Sequence, residues 1–373
     1  MLMTTPKRNF LLCVMSALLI WILPSSLYSR SFFETSHGNK NYLPKGCQSC
    51  HRGHGAFETP MLPTTKEQFC FLCHGNSVTR DKLRQDGLLS PDVFLHDIQR
   101  EFSKTYHHPI ETTYLHRYGE TLPESDPSMP RHVACVDCHH HHYVTEANKH
   151  LGLKGTGVDG ARLRTIQREY ELCFNCHAYS ANLPSDQTNK AELLKTDNAS
   201  YHPVIGPGRN NYVPSLIQPL NVTSTITCTD CHGNDDPFGP KGPHGSTFEN
   251  ILKKRFTASD GSGSEAQYDL CYSCHSSASI LGNESFPYHF KHVSELGTSC
   301  RTCHNPHGSI QYPHLIDLTS ISINPSSSGA LSYDDQGDRT GECYLSCHGR
   351  DHNPAVYSPA GQPLSTRRLL PRE

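Results

Sequence analysis

Sixteen of the seventeen cysteines stand in pairs, and a histidine directly follows the second cysteine of every pair. In chain order the eight motifs are Cys47, Cys50 and His51; Cys70, Cys73 and His74; Cys135, Cys138 and His139; Cys173, Cys176 and His177; Cys228, Cys231 and His232; Cys271, Cys274 and His275; Cys300, Cys303 and His304; and Cys343, Cys347 and His348. Seven read C-x-x-C-H, and the eighth, C-x-x-x-C-H, is one residue wider. Two thiols at such a spacing add across the two vinyl groups of a haem, and the adjacent histidine then lies beneath the iron as its proximal ligand. Zinc ribbons and disulfides also use paired cysteines, but neither requires a histidine after each second thiol. Only 26 of the 373 residues are histidine, so eight coincidences are not a reasonable alternative. The expected cofactors are eight covalently attached c-type haems.

Each iron then needs a sixth ligand. Once the first 31 residues are set aside only Met61 and Met129 remain, so histidine has to provide it, and bis-histidine iron sits at lower potential than His/Met iron. The motifs fall into four pairs with one internal grammar. An upstream histidine comes first: His37 in Ser-His-Gly, His108 in His-His-Pro-Ile, His202 in Tyr-His-Pro-Val and His289 in Tyr-His-Phe-Lys-His. A second histidine follows the first motif of the pair by three residues, as His54, His142 and His307. In the third repeat the same Pro-His-Gly-Ser ending arrives late, at Pro243-His244-Gly245-Ser246, after a nine-residue insertion. These eight histidines are the candidate distal ligands. A histidine three residues past a proximal one leaves on the same side of the ring, so it has to serve a neighbouring haem. His107, His140 and His292 compete with His108, His142 and His289 on register alone, and the other histidines, His150, His314 and His352 among them, read as surface groups or hydrogen-bond partners of propionates.

The elements that position these residues are expected to be slight. Apolar residues make up only 35% of the chain, most cysteines among them are consumed by the motifs, and Pro (26) and Gly (27) are plentiful. The expected fold is mostly irregular coil with short helices, built as four paired-haem repeats around a stacked haem chain whose porphyrin faces supply the missing apolar area. The repeats span 32–90, 91–190, 191–283 and 284–357, followed by a tail at 358–373. Gly152 to Gly160, Ser259 to Ser264 and Pro325 to Gly329 read as surface loops. Leu163, Ile166, Tyr170 and Cys173 at helical spacing predict one short helix leading into the fourth motif.

Residues 1–31 read as a signal peptide: Lys7 and Arg8, an apolar run from Phe10 to Leu23, then Pro24 and small polar residues. Export to the periplasm or the cell surface follows, with no transmembrane span after cleavage. Losing Lys7, Arg8 and Arg30 makes the formal charge of −3 more negative, and each ferric haem with its two propionates adds another negative charge, which excludes nucleic acid as a partner.

With its doubled motifs and the Cys-His-Asn-Pro-His-Gly segment at Cys303 to Gly308, the chain resembles the multihaem c-type cytochromes, similar in character to the tetrahaem cytochromes c3 and to extracellular, in part filament-forming, octahaem proteins. The resemblance spans about residues 36 to 355. It implies bis-histidine haems, little regular secondary structure and electron exchange with other redox proteins, quinol-linked or in the outer membrane, with self-association into filaments as a further implication. The late His244 and the wide last motif depart from the family pattern. The leading function is electron transfer without catalysis. The alternative is an octahaem oxidoreductase reducing a small nitrogen or sulfur compound at one open haem, which the closed ligand count disfavours.

Overall fold

Local capping decides where this chain coils. The Asp137 carboxylate accepts the Ala134 N–H and the Asp230 carboxylate accepts the Thr227 N–H, each at 2.7 Å, so one helical turn closes over Cys135–Cys138 and another over Cys228–Cys231. A side chain reaching back in this way is half of a capping box. Ser299 caps Cys300–Cys303 from the other direction, its hydroxyl accepting the Thr302 N–H at 3.2 Å. The second and fourth motifs instead end the nine-residue helices Lys66–His74 and Glu169–His177.

The computed structural model describes residues 32–54, 61–110, 132–179, 183, 187–261 and 263–359. The proposed signal segment lies outside them, as does most of the tail. Over the described residues the chain is mostly irregular, with short helices and small sheets, in keeping with its composition. Two small apolar clusters are buried, one of Leu43, Leu83, Leu88 and Leu89, the other of Phe174, Ala178, Ala191 and Leu194. Among the described residues no helix is long and apolar enough to cross a membrane.

Three sequence expectations need correction. The helix into the fourth motif begins only at Glu169, because Glu171 accepts the N–H groups of Gln167 and Arg168 and closes the helix start there. Leu163, upstream of that cap, pairs instead with Gly155 in a two-residue ladder, which buries Gly155 and Thr156 within a run expected at the surface. Asp260, in the run from Ser259 to Ser264, is tied down rather than loose: its carboxylate accepts from Ser299 N–H (2.6 Å), Thr302 Oγ1 (2.7 Å) and Ser322 Oγ (3.1 Å).

Distant parts of the chain meet in two short ladders of the same kind. Tyr106–His107 pairs antiparallel with Gly245–Ser246, and Ser200–Tyr201 pairs with Gly308–Ser309. The Pro-His-Gly-Ser ending thus docks beside the upstream histidine of the preceding repeat, once at His244 and once at His307. Lys104 reinforces the first junction, bonding Asn234 and Asp235 at 2.6 Å each and pairing with Glu101. The glycines are needed for close approach: a Cβ at Gly245 would stand 1.9 Å from the Glu101 carbonyl oxygen, and one at Gly308 1.9 Å from that of Leu193.

The last motif lies in a different kind of element. Thr340–Cys347 is the central strand of an antiparallel sheet, flanked by Arg350–Tyr357 on one side and by Ser332–Gly337 and Ile323–Asn324 on the other. His348 and Gly349, both at positive φ (48° and 72°), make the two-residue turn between the strands. Left-handed residues at both central positions give the turn twist that hairpins favour.

The glycine contacts generate a test. Gly245→Ala and Gly308→Ala are each expected to lower the thermal midpoint of the holoprotein, by an amount equivalent to about 1–3 kcal/mol of overpacking. Gly208→Ala, where an added Cβ meets nothing within 4 Å, is the matched control and leaves it unchanged. Equal midpoints for all three would refute the close-approach reading.

Candidate haem-binding centres

The helical turn explains why cysteine, cysteine and histidine can act as one unit. Residues i and i+3 share a face of a helix, and i+4 sits beside them one turn on. In five motifs the histidine N–H donates to the carbonyl of the first cysteine: His51 to Cys47 (2.8 Å), His139 to Cys135 (2.9 Å), His232 to Cys228 (2.9 Å), His275 to Cys271 (3.0 Å) and His304 to Cys300 (2.8 Å). His74 and His177 achieve the same by ending regular helices.

Seven motif histidines face a histidine from outside the motifs. Ring centroids are 6.2 Å apart for His51 and His142, His74 and His37, and His139 and His244. They are 6.3 Å apart for His177 and His108, His232 and His307, and His304 and His289, and 6.5 Å for His275 and His202. Two metal–imidazole bonds of about 2 Å and two ring radii of about 1.1 Å put the centroids of an axial pair about 6.2 Å apart. The spacing therefore fits one iron between each pair of rings.

The rings are also oriented for this. Nδ1 is bonded to a carbonyl in His37 (His141, 2.7 Å), His108 (Pro243, 2.6 Å), His202 (Pro306), His139 (Lys149, 3.1 Å), His232 (Asn250, 2.8 Å) and His304 (His314, 2.8 Å), leaving Nε2 toward the facing ring. Such an outer bond fixes the tautomer and strengthens the imidazole as a ligand. The first three carbonyls belong to the residue just before His142, His244 and His307, so each upstream histidine is anchored on the neighbour of a second distal candidate. Burial lowers the pKa of these imidazoles, to about 4 for His74, His177, His244 and His275 and to about 3 for His289 and His307, which keeps them neutral and able to bind metal at physiological pH.

Thiols of successive motifs are neighbours along the whole chain. Cys70 is hydrogen-bonded to Cys135, Cys173 to Cys228 and Cys271 to Cys300. Between these contacts, Cys73 lies within electrostatic reach of Cys50, Cys138 of Cys176, Cys231 of Cys274, and Cys303 of both Cys343 and Cys347. Each motif thus has a thiol near a thiol of the next motif in sequence order.

Such a set of attachment turns, each beside the next, is what a multihaem protein needs, and the comparison with known families agrees: the family description "Doubled CXXCH motif" matches residues 42–79 and 219–279. The chain carries the doubled CXXCH motif of multihaem c-type cytochromes. The two matched stretches hold the first, second, fifth and sixth motifs. No curated protein and no solved structure matches the chain.

The remaining histidines are placed as follows. His140 packs on Tyr143 at 4.4 Å, and His107 is exposed and bonded to the His108 carbonyl. His150 lies nearly parallel to His139 at 5.7 Å, hung from the Cys138 carbonyl, while His244 holds the spacing common to the other pairs. His54 is exposed and, among the described residues, faces no motif histidine. His348 is likewise exposed, with its Nε2 2.9 Å from the Asp260 carboxylate, and His352 faces His292 at 6.5 Å. The sequence offered His292 only as a competitor of His289 and His352 only as a surface group or propionate partner, and it gave no sign of their facing each other or of Asp260.

These placements predict which histidines set spin state. His202→Ala and His307→Ala are each expected to leave haem attachment intact and to turn one haem high-spin in electron paramagnetic resonance, whereas His54→Ala changes nothing. Wholly low-spin spectra for both of the first two variants would contradict the pairing.

Proposed function

We propose that this chain is an octahaem c-type cytochrome that carries electrons along a single file of low-potential, bis-histidine haems. The observation that carries the reading is the set of seven equally spaced histidine pairs, each joining a motif to a histidine outside it. Bound haem supplies a reversible one-electron couple. The chain's own residues hold both axial positions, orient the rings through their Nδ1 bonds and keep water and small molecules from the metal. The contacts between successive thiols support attachment points that follow one another in order. On this reading the chain has four paired repeats, at 32–90, 91–190, 191–283 and 284–357, and the matched family supports export to the periplasm or cell surface, where other redox proteins are the partners.

An octahaem enzyme acting on a small nitrogen or sulfur compound needs one iron with an open position, and none of the seven pairs offers one. Two measurements separate the readings. Intact mass is expected to equal the polypeptide without residues 1–31 plus eight haems, and carbon monoxide is expected to leave the spectrum of the reduced protein nearly unchanged. Rapid stoichiometric binding of carbon monoxide to one haem, together with turnover of nitrite, hydroxylamine or tetrathionate, would overturn the carrier reading.

A further inference from the structure

The eighth motif breaks the geometry that the other seven share. Cys343 and Cys347 lie on one strand, with Leu345 between them, and alternate residues of a strand point to the same side. The even separation thus lets a strand present both thiols on one face, where the C-x-x-C spacing suited to a helical turn would put them on opposite faces. The residue after Cys347 cannot join them there. His348 instead forms the first half of the hairpin turn at φ 48°, and its metal-binding nitrogen, Nε2, is 2.9 Å from Asp260 Oδ2.

Another histidine does share that face. His352 is the antiparallel partner of Leu345, so its side chain leaves the sheet between the two thiols on their own side. It is half-buried, and its ring stands 6.5 Å from that of His292, the spacing of the seven pairs already described. His292 also has their orientation, with Nδ1 bonded to the Tyr288 carbonyl at 2.8 Å.

The repeat grammar explains why the last unit differs. Upstream histidines face the second motif of their own pair: His37 faces His74, His108 faces His177 and His202 faces His275. The first motif of each pair faces a histidine from the following repeat: His142, His244 and His307 serve His51, His139 and His232. Residues 358–373 hold no further motif, and the upstream segment of the fourth pair, Tyr-His-Phe-Lys-His, carries two histidines. His289 faces His304 in the first motif, which leaves His292 for the second.

We propose that the haem attached at Cys343 and Cys347 takes His292 and His352 as its axial ligands, and that His348 is a turn residue held by Asp260. This rests on the multihaem reading above, and it adds the ligand set of the one site that departs from the family pattern. Asp260 then acts as a positioning residue: it also accepts from Ser299, Thr302 and Ser322, so it ties the turn to the seventh motif and keeps His348 off the iron.

Spin state decides the matter without any assay of activity. His352→Gly retains both thiols and His348, so the purified protein is expected to hold eight haems by mass, with about one in eight high-spin and returned to low spin by added imidazole. His352→Met, which preserves bulk on the strand, is expected to give one haem with a thioether–iron charge-transfer band and a raised potential. His348→Gln is expected to stay wholly low-spin. Eight low-spin haems in His352→Gly and an unaltered spectrum in His352→Met, or a high-spin haem in His348→Gln, would overturn the assignment, as would a wild-type protein with seven haems. A wild-type protein with eight haems that is high-spin at one of the first seven motifs would fault the parent reading instead, and the His352 variants would still report on the eighth site.

Discussion

The structure depends on one recurring contact, a motif histidine facing a histidine that reaches it from outside the motif. In the first, third and fifth motifs the facing residue belongs to the next repeat, so folding one unit completes the site of the one before. The upstream histidines lock the same junctions, since the carbonyls that hold His37, His108 and His202 belong to His141, Pro243 and Pro306, each just before a handed-back histidine. Binding a metal at such a site stabilises the fold by the same interaction that closes the coordination sphere.

This arrangement accounts for how little else the chain invests in structure. The buried apolar clusters are small, the ladders that join one repeat to the next are two residues long, and many helices are single turns. Covalent attachment and paired axial bonds can replace a side-chain core if the repeats arrive in register, and the close contacts at Gly245 and Gly308 set that register. His54 fits the same logic. It occupies the hand-back position of the first repeat, faces no motif histidine among the described residues, and stands exposed.

Much of this was legible in the residues because the chemistry is local. A motif of two thiols and an adjacent histidine is read off directly, and the Pro-His-Gly-Ser ending marked His244 in spite of its insertion. Which motif each outside histidine faces was not legible, since that depends on ladders joining residues more than 100 positions apart. The setting of the last motif was not legible for a different reason. A period of three or four residues places cysteine, cysteine and histidine together on a helix, but a strand has a period of two, and only the hairpin register brings His352 between the thiols. The helix expected from Leu163 failed on a cap: Glu171 bonds the backbone at Gln167 and Arg168 and leaves Leu163 to a ladder.

In the proposed function the irons form one unbranched file in chain order, each between two histidines. Anomalous scattering at the iron edge from crystals of the holoprotein tests it most directly. The expected result is eight iron peaks in a single line, the first seven lying between His51 and His142, His74 and His37, His139 and His244, His177 and His108, His232 and His307, His275 and His202, and His304 and His289. A branched or clustered arrangement, or an iron at any of these seven positions with only one histidine beside it, would contradict the account.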